Sequence, residues 1–211
     1  MVSFDEHHLM GCRLKETFVE IWELQENVKP QLHETKLDPV WSCDVGNRNT
    51  VKCSAILFET PFAFIGKSNG RCDIWNTLLN KRIQSLEHEV TDPNIFLTIK
   101  KIILLNIYIL TLTQRGKIFA WVKEECLESI YKTKCAPVWT CSSNTYGNVI
   151  TDLYADNTRL VCLERSVKEG TRWLAVKDLW HCYKVTEGQS VKRKSEFQNK
   201  GVEKRKLCLF C

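Results

Sequence analysis

Residues 50–89 read TVKCSAILFETPFAFIGKSNGRCDIWNTLLNKRIQSLEHE, and this stretch decides the fold. Val51–Phe58 reads as a first strand, stopped by Glu59-Thr60-Pro61. Phe62–Gly66 is a second strand. Ser68-Asn69-Gly70 is a turn, because Asn-Gly favours a tight two-residue hairpin. Arg71–Trp75 is a third strand, Asn80 and Lys81 turn the chain, and Arg82–Leu86 is a fourth. β-branched and aromatic residues fill all four, as a pleated, half-buried surface prefers.

The plan recurs on both sides. FVEIWEL (18–24), GRCDIWN (70–76), GKIFAWV (116–122) and GTRWLAV (170–176) each follow a turn. Trp75 lies five residues after Gly70, Trp121 five after Gly116, and Ala175 five after Gly170. The markers at 22, 75, 121 and 175 are 53, 46 and 54 residues apart. A second repeat is independent of the first. Pro39-Val40-Trp41-Ser42-Cys43 is echoed 98 residues later by Pro137-Val138-Trp139-Thr140-Cys141, which is two periods of 49. The module around Trp121 reads as strands over Ile95–Leu105, Ile107–Thr113, Lys117–Val122 and Cys126–Tyr131, with Gln114-Arg115-Gly116 as its turn.

Residues 50–89 resemble one WD repeat, and FDEHHLMGCRLKETFVEIWEL (4–24) looks like the second half of another. Asn69-Gly70 stands for the family's Asp-Gly turn and Trp75-Asn76 for its Trp-Asp ending. His88 occupies the loop before the next repeat, where the resemblance makes Thr111 and Trp121 its partners in an internal hydrogen-bond network. Arg115 replaces the usual turn Asp, and Ile65 stands where the family places Ser or Thr. The resemblance implies an all-β fold: a partial β-propeller of about four four-stranded antiparallel blades, at roughly 1–37 (partial), 38–88, 89–134 and 135–183. Residues 184–211 follow as a disordered basic tail. A seven-bladed propeller needs roughly 300 residues at this repeat length. The chain is therefore expected to be part of a longer array or a degenerate copy, or to close unusually or leave sheet edges open.

The net charge of +5 sits in the tail, where residues 184–211 hold 8 basic and 3 acidic side chains and the rest balances. A neutral body argues against a broad nucleic-acid footprint. The 11 cysteines are odd in number, no signal peptide opens the chain, and Cys53, Cys72, Cys141 and Cys162 fall within apolar strand-like runs. Reduced cysteines in a reducing compartment are expected. The most apolar run, Ile102–Thr113, has 12 residues; a membrane span takes about 20.

Trp22, Trp75 and Trp121, with Gly70, Gly116, His88 and Thr111, are read as structural repeat positions. Trp41 and Trp139 are candidates for partner contact or for core. The histidines show no metal spacing, and the lone Cys-x-x-Cys, Cys208 to Cys211, has no second pair, so no metal is expected. Phosphate-loop, nucleophile-elbow and dinucleotide motifs are missing, so neither catalysis, nor a cofactor, nor a small-molecule substrate is expected. In the tail, Lys192-Arg193-Lys194 and Lys204-Arg205-Lys206, nine residues apart, resemble a bipartite nuclear-import signal. Cys208 heads a prenylation-like Cys-a-a-X ending, the one route by which a membrane would enter. The expected role is a cytoplasmic or nuclear interaction scaffold for other proteins, in its finest form a substrate receptor of a ubiquitin-ligase complex of the F-box kind, although no F-box pattern is visible. The alternatives are a regulatory protein addressed by its tail, and an enzyme.

Overall fold

The segment that decided the fold forms four strands in the computed structural model: β5 (Cys53–Glu59), β6 (Phe62–Lys67), β7 (Arg71–Asn76) and β8 (Lys81–Glu87). They pair antiparallel in chain order, with Ala63 opposite Trp75 and Ile65 opposite Asp73. The β6–β7 hairpin differs from the expected two-residue loop. Three residues join the strands, Gly70 N–H closes on the Lys67 carbonyl at 3.2 Å, and Gly70 has φ +82°. A type I turn closed by a left-handed glycine is the three-residue solution to the same connection.

The structure describes residues 1–12, 17–23, 38–46, 51–88, 97–128, 135–143, 146–179 and 204–205. Three further four-stranded antiparallel sheets lie within them. The first joins β1 (Val2–Phe4), β2 (His8–Cys12), β3 (Phe18–Glu23) and β4 (Trp41–Asp44). The third joins β9 (Ile99–Leu104), β10 (Tyr108–Thr113), β11 (Ile118–Val122) and β12 (Trp139–Cys141). The fourth joins β13 (Asn148–Ala155), β14 (Arg159–Ser166), β15 (Arg172–Asp178) and β16 (Lys204–Arg205).

Three expectations are corrected. The first sheet is not a half-module: Val2–Phe4 supplies its opening strand, pairing with Leu9–Gly11. The fourth strand expected at Cys126–Tyr131 is replaced by a helix, α1 (Lys123–Glu128), that buries Cys126. Lys-Glu-Glu-Cys-Leu-Glu is rich in helix formers, and Glu124 and Glu125 in the first turn complement the helix dipole. The two Pro-Val-Trp segments close the preceding sheets instead of opening the following ones. Trp41 pairs with Ile21, and Trp139 with Ala120. The boundaries expected near 38 and 135 therefore move past β4 and β12.

The chain divides into two compact units, Met1–Ile102 with Glu124–Ala136, and Ile103–Lys123 with Pro137–Cys211. In the first, Met10, Cys12, Val19 and Ile21 of the first sheet bury against Ala63, Ile65 and Trp75 of the second. In the second, Leu110, Leu112, Ile118 and Ala120 bury against Leu153, Cys162 and Ala175. Both contacts have one polarity. The later sheet presents the face carrying its marker position, Trp75 or Ala175, and the earlier sheet presents the opposite face. Among the described residues no helix is long and apolar enough to cross a membrane. The expected tail falls on residues outside the described set, apart from Lys204 and Arg205, whose backbone pairs with Ala175 and Leu174.

Candidate partner-binding rim

The turn Thr77-Leu78-Leu79-Asn80 between β7 and β8 is held from several sides. Asn76 Oδ1 accepts the Leu79 N–H at 3.0 Å, and Asn80 N–H reaches the Thr77 carbonyl at 3.3 Å. The Thr77 N–H and hydroxyl both donate to the Pro61 carbonyl, at 2.9 and 3.0 Å. Asn80 sits at φ +48°, a conformation asparagine tolerates better than most side chains. Its Oδ1 accepts the Trp41 indole N–H at 3.0 Å. The polar groups of the turn are thus spent inward, and the two leucines are left outward, 78% and 65% exposed. Val40, which precedes Trp41, is also exposed. In the second unit the equivalent segment docks alike. Val138 N–H bonds the Ala120 carbonyl at 2.8 Å, as Val40 N–H bonds that of Ile21 at 2.8 Å, and Val138 and Ile107 are exposed.

Trp41, one of the two contact candidates, is not a rim side chain. It is only 7% exposed and stacks edge-on against Trp75 with ring centroids 5.8 Å apart. Strand alternation turns it inward and its neighbour Val40 outward. Trp139 is half-buried against Tyr108, and its Nε1 is buried without an acceptor among the described residues. The residues that sequence reasoning missed are Leu78 and Leu79. The available signal was two adjacent leucines beside an asparagine in a turn between strands.

The other named positions lie in the strands of their sheets and in the turns and loops beside them. Trp121 is fully buried, stacks on Phe119, and donates its indole N–H to Thr111 Oγ1 at 3.3 Å. His88 is buried, with Nδ1 2.6 Å from the Gly70 carbonyl oxygen. A carbonyl only accepts, so Nδ1 carries the proton. Trp75 is half-buried, and its Nε1 has no acceptor among the described residues. Trp22 is half-buried over Gly11. The buried Asp73 carboxylate is met by Lys67 at 2.6 Å, the Ser85 hydroxyl at 2.8 Å and Arg82 at 3.6 Å, so its charge is compensated. Among the described residues no cluster of three His, Cys, Asp or Glu could hold a metal. Lys192, Arg193, Lys194, Lys206 and Cys208 lie outside the described residues.

Four-stranded antiparallel sheets repeated along the chain, each closed by a strand after a Trp-bearing third strand, place the fold in the β-propeller class. Comparison with solved structures identifies the kind. The WD40 domain of Toxoplasma gondii coronin is similar at TM-score 0.53 and 15% identity, over 83% of this chain and 42% of that one. The computationally designed Ika4 protein is similar at TM-score 0.52 and 14% identity, over 82% of this chain and 87% of that one. The fold is a partial WD40-type β-propeller, and the chain spans less than half the length of the coronin domain it matches. No family model and no curated protein matches the sequence.

Proposed function

We propose that this chain is a non-enzymatic interaction scaffold that docks a partner protein on the strand-end turn that carries Leu78 and Leu79. The observation that carries the reading is the pair of exposed leucines on a turn held by five hydrogen bonds, three of them from its backbone N–H groups. Pre-ordered apolar side chains bind with little further entropy loss, and a few such anchors dominate interface energies. The test is quantitative affinity capture from cell extract with the native chain and with a Leu78→Asp/Leu79→Asp variant, folding of both being checked by circular dichroism. At least one partner should be depleted about tenfold or more, the scale of losing one good anchor. An unchanged set of partners refutes the assignment of this turn.

The finer form of the proposal is substrate recognition within a ubiquitin-ligase complex. It is supported only by the character of the repeats, and recovery of no ligase subunit in the same capture removes it. Residence in the cytoplasm with nuclear entry through the basic tail is proposed from Lys192–Lys194 and Lys204–Lys206. An unchanged distribution after deleting residues 190–211 would remove that role.

A further inference from the structure

Cys126 lies on α1, Cys135 lies beyond it outside any helix or strand, and both belong to the first compact unit. Their thiols share a hydrogen bond. The Cys135 thiol also donates to the carbonyl of Glu125, the residue before Cys126 on the helix, at 3.7 Å. From β8 the Gln84 amide Nε2 donates to Cys135 Sγ at 3.1 Å. Gln84 Oε1 accepts the Ser85 N–H at 3.0 Å, so the amide nitrogen is the end that faces the sulfur. Both sulfurs are thus held at one place, between the helix and the second sheet's last strand.

The two thiols differ in access. Cys126 is 1% exposed, and burial, then its neighbour Cys135, pushes its thiol up. Cys135 is half-buried and can be reached by a small solute. An outer thiol that meets an oxidant, with an inner thiol held against it, is the arrangement of a reacting and a resolving cysteine. Backbone freedom favours the same pair. The six other cysteines among the described residues all lie on strands, where the ladder fixes the backbone. Cys135 does not, so its backbone can adjust to the geometry that a disulfide demands.

We propose that Cys135 and Cys126 are a reversible oxidation site that takes hydrogen peroxide as its oxidant. The Cys135 sulfur attacks one peroxide oxygen and the O–O bond breaks. The departing hydroxide takes the thiol proton and leaves as water, and Cys135 is left as a sulfenic acid. Cys126 then attacks that sulfur, forming the S–S bond. The expelled hydroxyl group takes the Cys126 proton and leaves as a second water. Two thiols lose two electrons, and one peroxide is reduced to two waters. The bond ties the chain at Cys135 to α1. Two external thiols reverse it by exchange, becoming a disulfide themselves.

Peptide mass mapping of the full chain, without reductant, tests this. After peroxide at near-neutral pH, the peptides holding Cys126 and Cys135 should appear joined and lighter by two hydrogens. This crosslink should exceed any other about tenfold or more, because oxidation follows access and a poised partner. Dithiothreitol should restore both thiols. Cys126→Ala should stop at the sulfenic acid, trapped on Cys135 by dimedone, and Cys135→Ser should leave Cys126 unmodified. Circular dichroism checks the folding of each variant. The serine variant, altered at a half-buried position, carries the test if loss of buried Cys126 unfolds the chain. A native chain in which no Cys126–Cys135 bond forms would overturn the proposal. So would a crosslink at another pair, such as Cys12 with Cys53, in its place. Oxidation of Cys126 in the folded Cys135→Ser chain, or a folded Cys126→Ala chain that takes up no dimedone, would do the same.

Discussion

The indole N–H of Trp75, which has no acceptor among the described residues, gives a direct test of how these sheets are built. In the third sheet Trp121 pairs with Ile109, and its N–H reaches diagonally to Thr111, which pairs with Phe119. The second sheet has the same register, with Trp75 opposite Ala63 and Ile65 opposite Asp73. Ile65 therefore occupies the place of Thr111 and offers no oxygen. Consider Ile65→Thr. At a fully buried site, lost methyl contacts cost about 0.5–1.5 kcal/mol, and an unsatisfied hydroxyl adds about 1–3 kcal/mol. Beside Trp75 the introduced hydroxyl accepts the orphan N–H, so one contact satisfies two polar groups and offsets most of the second cost. The expected net loss is about 0–2 kcal/mol, against about 2–4 kcal/mol for the same change in a Trp75→Phe background. Urea denaturation of the four chains forms a double-mutant cycle with an expected coupling of about 1–2 kcal/mol. A coupling near zero would mean that the shared register does not carry the shared hydrogen bond, and the reasoning fails.

Three further outcomes follow from other parts of the structure. Gly116 and Gly170 occupy equivalent turns, at φ +76° and +69°, but a Cβ on Gly116 would come within 2.5 Å of the Ile150 backbone nitrogen while one on Gly170 meets nothing within 4 Å. Alanine at Gly170 should cost about 1–2 kcal/mol for the left-handed backbone, and at Gly116 about 1–3 kcal/mol more for overpacking; equal urea midpoints would contradict this. Burial pushes the Asp5 carboxyl up, but hydrogen bonds from the Thr60 hydroxyl and the His7 and His8 N–H groups outweigh it and hold the group well below the usual carboxylate range. The stability it contributes is full above about pH 4 and is lost as pH falls towards the folded-state value, so Asp5→Asn should flatten the acid limb of a stability–pH curve, and an unaltered limb would count against it. Burial pushes the thiols of Cys43 and Cys162 up to about 12; iodoacetamide at pH 8 should spare them while alkylating half-buried Cys135 and Cys141, and peptide mass analysis showing the reverse order would refute it.

What the residues made legible was local. The four strands between Cys53 and Glu87 could be read because alternation, a Gly turn and an Asn turn all fall within a few residues of one another. The closing strands of the first and third sheets could not. β3 ends at Glu23 and β4 begins at Trp41, β11 ends at Val122 and β12 begins at Trp139, and nothing in a Pro-Val-Trp segment says which sheet it will join. That choice is made by non-local pairing, Ile21 with Trp41 and Ala120 with Trp139. Val2–Phe4 is too short to show a period. Cys126–Tyr131 has strand-like apolar content, but the run Lys123–Glu128 has stronger helix propensity, and helix prevails. The rim leucines were passed over for a different reason. Tryptophans attract attention as anchors, whereas here the large aromatic of the segment is inward and its aliphatic neighbours are outward.

The marker residue drifts along the chain while the face it occupies does not. Side chains two apart on a strand share a face, so each third strand offers two sites on its marker face: Glu20 and Trp22, Asp73 and Trp75, Phe119 and Trp121, Trp173 and Ala175. In the fourth sheet the indole has moved back by one such step, to Trp173. Its N–H then finds Glu164, directly opposite, at 3.2 Å, and that carboxylate also accepts the Ser143 hydroxyl at 2.7 Å. In the second sheet the earlier site holds Asp73, which organises Lys67 and Ser85, and in the third it holds Phe119, which stacks on Trp121. A motif defined by residue identity at one position therefore degrades across these sheets. What survives in the second, third and fourth sheets is a bulky aromatic or buried polar group on the marker face of the third strand. Its chemistry differs each time, and this is why the repeat spacing remained readable after most of the signature residues had gone.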